Sequence, residues 1–402
     1  MKRAIFSLLG IAAAAFMSVS APAVHAQDED APQLPTYTKT LPLAPATISK
    51  MRKALSANAA VAGSGSIPTW NYTVTSPIDG NTYSGTMVGA SPYFNGARTT
   101  NTPTVVVPLI VKLPDGGVFD PTLIDRCAPW ASPVAQLLAS PIFQAHAYAM
   151  NGINMGSGQY LDEFQRANFY AANVSATGDS YHTVLSPVTT LPAQTINIPA
   201  NQGLTWQLNG CGSLGVMDFN TFSTIVTQTL LPSLIAQGLV SSSTLPLLLL
   251  HNVVMADPGN SISSHCCIVG YHGAFGFPVQ TYAVADFDTS HSLQNTSDIT
   301  PTSHEIGEWM DDPYGTNPTP SWGHVGQVKF GCQSNLEVGD PLSGILYSES
   351  GSYGVKMPSG QTFYPQELAF FSWFYRQNPS NGAGGLYSDG GLFLSNAGSI
   401  CQ

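Results

Sequence analysis

Between Thr300 and Pro313 the chain reads Thr-Pro-Thr-Ser-His-Glu-Ile-Gly-Glu-Trp-Met-Asp-Asp-Pro, a run that admits little besides a short, sharply ended helix. Thr300 can cap it, and Pro301 suits the first helical position, where its missing N–H would have had no intrahelical partner. Pro313 disfavours helical backbone in Asp312, so the helix should stop there. At about 100° per residue, His304, Glu308 and Asp311 stack on one face, with Glu305 and Asp312 at its edge. Ile306, Trp309 and Met310 fall opposite, ready for burial. Gly307 costs roughly 1 kcal/mol of helix propensity against Ala. Its place beside the polar face leaves room for a second backbone or a ligand.

A helix patterned in this way suits a metal ion. Residues i and i+4 lie one above the other, so His304 and Glu308 can grip one ion while Glu305, turned aside, takes a proton from water. The segment resembles the H-E-x-x-H helix of zincin metallopeptidases, with Glu308 in place of the second histidine. That resemblance implies a zinc-dependent peptidase with Glu305 as general base. The extra carboxylate makes the site more anionic and opens it to calcium as well. A third ligand is wanted. Gluzincins take it from a glutamate beyond the helix, and Glu337 with Asp340, in Glu337-Val338-Gly339-Asp340-Pro341, looks similar. Glu337 ranks first, Asp340 second and His324, in Trp322-Gly323-His324, third. Asp311 and Asp312 are further candidates, Asp312 for an orienting role.

The surroundings read as those of an exported chain. Lys2 and Arg3, an apolar stretch from Ala4 to Val19 and Val24-His25-Ala26 together match a secretory signal peptide over residues 1–26. Without it, 11 basic residues face 24 acidic ones (11 − 24 = −13), which argues against nucleic acid or an anionic membrane as partner. No later apolar run reaches spanning length, so no membrane insertion is expected. Six cysteines (127, 211, 266, 267, 332 and 401) in such a compartment suggest a disulfide-stapled protein. Cys266 and Cys267, placed in a strand, would face opposite ways and take different partners.

Residues 27–66, acidic and then rich in Pro and Ala, read as a flexible tail or short pro-segment. From residue 67 to 402 a single large domain is expected, divisible into packed halves at about 67–210 and 211–402. Only 9% of residues are charged, but 43% are hydrophobic, which excludes disorder for most of the chain. Strands are expected at Thr104 to Lys112, Leu245 to Met255 and Thr281 to Phe287. Helices are expected at Pro133 to Met150, Gln159 to Ala172, Phe219 to Gln237 and Pro365 to Arg376. The fold class is thus α+β: a loop-rich mixed sheet with packed helices and a zincin-like active-site helix.

Two other resemblances carry different functions. Gly178-Asp179-Ser180 with Asp288-Thr289-Ser290-His291 resembles the nucleophile and D-x-x-H blocks of GDS-type esterases, which implies Ser180 as nucleophile, His291 as base and Asp288 as its orienter. Cys267-Ile268-Val269-Gly270-Tyr271-His272 and the elements after it are similar to plant phosphate-induced (exordium-like) secreted proteins, which implies a non-enzymatic extracellular or cell-surface role. Ser303 to Pro313, Trp322 and Glu337 to Asp340 also match an S-H-E-x-x-E-x-x-x-D-P pattern of uncharacterised secreted bacterial proteins, over roughly the last two-thirds of the chain. His251, His265 and His272 read as hydrogen-bonded or disulfide-flanking residues away from the chemistry. The leading expectation is a secreted zinc metallopeptidase acting on a peptide or protein substrate.

Overall fold

Leu245 to His251 carries no charged residue, and a strand of that kind is stable only when both of its faces are covered. It lies in the middle of an eleven-stranded mixed sheet. The computed structural model describes residues 34–57, 66–93, 98–175, 180–207, 212–257, 266–323, 332–349 and 352–396, all within a unit that runs from Pro32 to Gln402.

The sheet strands, in chain order, are β1 (Tyr37–Leu41), β2 (Arg98–Lys112), β3 (Val118–Phe119), β4 (Tyr181–Thr190), β5 (Gln194–Asn197), β6 (Gly203–Gln207), β7 (Ser213–Asp218), β8 (Leu245–His251), β9 (Val253–Ala256), β10 (Ile268–Phe275) and β11 (Gln280–Phe287). Their order is β6-β7-β9-β10-β11-β8-β2-β3, with β1 on β10 and with β4 and β5 on β2. β8 runs parallel to both β11 and β2, whereas β10 and β11 are antiparallel. The helices that matter here are α1 (Pro45–Ala57), α2 (Pro133–Ala139), α3 (Tyr160–Asn168), α4 (Phe219–Ile225), α5 (Leu231–Ala236) and α6 (Thr300–Asp311).

Alternation sorts the core into two layers. Leu247, Leu249, Ala283 and Ala285 face the cluster that includes Ile306, Trp309 and Met310 of α6. Leu248, Leu250, Tyr282 and Val284 face the one that includes Phe219, Phe222, Leu231 and Leu234 of α4 and α5. The sheet is therefore a middle layer, and α6 lies against β10 and β11. There Trp309 Nε1 donates to Thr281 Oγ1 at 3.0 Å. All 12 residues of α6 are buried, the polar face included. Mixed α+β architecture is what the sequence patterns call for.

Several expectations need correction. Part of the expected tail is structured: residues 37–41 form β1, parallel to β10, and α1 follows. The expected helix from Pro133 ends at Ala139, and His146–Met150 pairs with Ile153–Gly158 as a hairpin. Its turn residues Asn151 and Gly152 both have positive φ, the pattern a tight hairpin favours. From Pro365 only Phe371–Phe374 is helical, because Glu367 and Ala369 donate to Ile345 O and Val338 O. Thr300 does not cap α6; Ile299 holds that position and Thr300 Oγ1 donates to Tyr364 O instead. The room expected beside Gly307 is taken by the Leu368 side chain. Cys266 and Cys267 are bonded to each other. They precede β10 rather than lying in it, so strand alternation does not apply to them. Residues 1–26, Gly178, Asp179, Cys211, His265, His324 and Cys401 lie outside the described residues.

Candidate metal centre

His304 and Glu308 stand one turn apart on α6, with Nε2 and Oε1 2.9 Å from each other. A third donor arrives from the turn Asp340–Leu342, where Asp340 Oδ1 lies 3.5 Å from His304 Nε2. The Asp340 N–H also donates to Glu308 Oε1 at 3.2 Å, which holds the turn against the helix. Gly339 makes that approach feasible, because a Cβ there would sit 2.5 Å from His304 Nδ1.

The imidazole is held in one orientation. Gln366 Nε2 donates to Gly339 O at 2.6 Å, which leaves Gln366 Oε1 facing His304 Nδ1 at 2.9 Å. An oxygen there can only accept, so Nδ1 carries a proton. In the neutral ring Nε2 then presents a lone pair toward two carboxylate oxygens, an arrangement that demands a cation or a second proton between them. Without an ion the proton serves. Burial works against the imidazolium, but Glu308 and Asp340 outweigh it and raise the His304 pKa well above its ordinary value. The donor spacings also suit an ion: atoms about 2.0–2.2 Å from one metal sit about 2.8–3.6 Å from each other. His304, Glu308 and Asp340 thus form a buried group able to hold a metal.

A second group shares Glu308. His272, on β10, points Nε2 at Asp312 O, 3.2 Å away, and Nδ1 at Glu305 Oε2 and Glu308 Oε2, 3.4 and 3.5 Å away. Burial lifts the Glu305 pKa to about 7. Glu308 is held below the usual carboxylate range, His304 and His272 overcoming the opposing effect of burial. Burial, then Glu337 and Glu305, set the His272 pKa, and the carboxylates win by raising it. Glu305 Oε1 and Glu337 Oε2 are buried without hydrogen-bond partners among the described residues.

Of the residues expected at the site, His304, Glu308 and Asp340 converge and Glu305 lies beside them. Glu337 does not join that group. It stands at the other edge of the His272 ring, Oε2 3.7 Å from Nε2, with Oε1 taken by Asn335. Asp311 turns away to Gln165 and Asn168, and the Asp312 carboxylate binds the N–H groups of Thr316 and Asn317. For the esterase pattern, Asp288 Oδ1 is engaged by Ser290 N–H and Oγ–H. His272 is the residue that the sequence reading set aside. Gly270 shares its strand face, and a Cβ at Gly270 would meet Glu305 Cγ at 2.7 Å, a closeness that only the packing of β10 on α6 reveals.

No protein family, curated protein or solved structure matches the chain. No helix among the described residues is long and apolar enough to cross a membrane.

Proposed function

We propose that the chain is a metal-dependent hydrolase, a zinc peptidase in which His304, Glu308 and Asp340 hold the ion and Glu305 is the general base. The observation that carries this reading is the His304 ring, its Nδ1 proton committed to Gln366 and its Nε2 aimed at two carboxylates. One imidazole with two carboxylates is a donor set that zinc accepts, and calcium is the harder alternative. When bound, such an ion supplies Lewis acidity toward a carbonyl and makes water easier to deprotonate.

The protein's own groups divide the remaining tasks. Glu305 has an unpaired oxygen and a pKa near neutrality, the condition for accepting a proton at pH 7 and returning it to a leaving amine. His272 faces one oxygen each of Glu305 and Glu308 and so orients both. Secretion and disulfide stapling belong to the same proposal, the substrate being a peptide or protein outside the cytoplasm.

Burial favours one rival, since His304 is only 1% exposed. In that reading the chain is a non-enzymatic extracellular protein of the exordium-like kind, with no bound transition metal and no hydrolysis. Glu305→Gln separates the two. The peptidase reading expects unchanged metal content and hydrolysis of unfolded casein reduced by at least ~10²-fold, the usual general-base contribution. No hydrolysis by the metal-loaded wild type or by its Thr38→Val variant would favour the rival.

A further inference from the structure

The N-terminal strand puts a fourth donor into this group. Thr38 Oγ1 lies 2.8 Å from His304 Nε2 and 2.8 Å from Asp340 Oδ1. Both separations fit atoms bound to one ion, which sit about 2.8–3.6 Å apart. The Thr38 hydroxyl donates to Asp340 Oδ1 and so presents a lone pair toward Nε2, which calls for an Nε2 proton or a cation there. A shared cation would satisfy all three atoms at once.

The placement of Thr38 is built into the fold. β9 pairs with β10 only at Met255 and Ile268, so most of that edge of β10 is left for β1. The β1 register shifts between Tyr37 and Thr38, and an irregularity of this kind re-aims the side chain beside it. On either side the backbone is fastened: Tyr37 N–H to Cys267 O and Cys267 N–H to Pro35 O upstream, Leu43 N–H to Tyr314 O downstream. Lys39 points to the other face of the sheet, over the Phe219 ring and paired with Asp257. With β1 in place, His304 and Glu308 are each 1% exposed, too enclosed to receive a polypeptide.

We propose that Thr38 is a self-supplied ligand: its hydroxyl takes the fourth position at an ion held by His304, Glu308 and Asp340. β1 is then an inhibitory strap that must leave β10 before a substrate reaches the ion. This rests on the metal reading given above and adds to it a regulated site, closed by the chain's own residues 37–41.

The test uses the full-length chain loaded with cobalt(II), whose absorption reports its ligands. Thr38→Cys should add an intense thiolate-to-cobalt charge-transfer band that the wild type lacks, because a thiolate in reach becomes a ligand. Thr38→Val, of nearly the same shape, should shift the visible cobalt bands and weaken cobalt binding about tenfold, and should raise casein hydrolysis. The Thr38→Val spectrum decides the matter if the cysteine variant does not fold. Cobalt bound to Thr38→Val with wild-type bands and affinity would overturn the proposal and leave the metal reading intact. A wild-type chain that takes up no cobalt would overturn both.

Discussion

Gln366 Oε1 accepts the Nδ1 proton of His304 at 2.9 Å, while Gln366 Nε2 is itself spent on Gly339 O. The pair fixes which imidazole nitrogen is left for an ion. Gln366→Ala should therefore lower metal affinity by about 10–100-fold, the usual cost of removing a partner that orients a ligand. Competition with a chelator of known affinity measures it. Unchanged affinity would mean that Gln366 only fills space.

His304 also pairs with Glu308, but His272 is the cationic group that faces Glu305, Glu308 and Glu337 together, and all four are buried. Removing it leaves buried carboxylates uncompensated, which costs about 3–5 kcal/mol. His272→Ala should lose that much in urea unfolding at neutral pH with chelator present. A loss below about 1 kcal/mol, the range of ordinary surface changes, would show that protons already neutralise the cluster.

Asp298 is half-buried just before α6, and desolvation raises its carboxyl pKa to about 7. Between about pH 4 and 7 the folded chain holds a proton there that the unfolded chain, with an aspartate pKa of about 3.9, does not. Unfolding free energy from this group is therefore greatest at acid pH and falls as pH rises through 7, by up to about 4 kcal/mol. Asp311 and Asp389, each raised by burial to about 8, act in the same direction. Urea unfolding at pH 5 and pH 7.5 should give a smaller difference for Asp298→Asn than for the wild type. Equal differences would place the Asp298 pKa near its ordinary value.

Much of the fold could be read along the chain because it rests on local pattern. The uncharged run of β8 and the proline-bounded, two-faced sequence of α6 each carry their own instructions. β1 does not: Tyr-Thr-Lys-Thr-Leu is a polar run whose partner lies some 230 residues away, and nothing within it names β10. The same limit hid half of the site. His304 and Glu308 share a helix and were visible as a pair, whereas His272 is tied to Glu305 and Glu337 only through sheet-on-helix packing. Asp340 was visible as a carboxylate beyond the helix, but its preference over Glu337 depends on Gly339 letting the turn press against the imidazole. Asn151-Gly152 is a turn signal, and the hairpin it makes ends the helical pattern expected from Pro133 to Met150.

Cys266 and Cys267 are bonded to each other, and the proposed stapling extends such pairing to the other four cysteines. Denatured, unreduced protein should therefore show few or no free thiols in a colorimetric assay. Six free thiols would contradict the disulfide-stapled account and return Cys266 and Cys267 to consideration as metal ligands.

The most direct test of the central claim is the metal content of the purified full-length chain, by mass spectrometry after dialysis against metal-free buffer. The account predicts about one equivalent of zinc per chain, lost in His304→Ala and in Glu308→Ala and retained in Glu305→Gln. A wild-type chain without bound metal, or three variants that retain it equally, would contradict it.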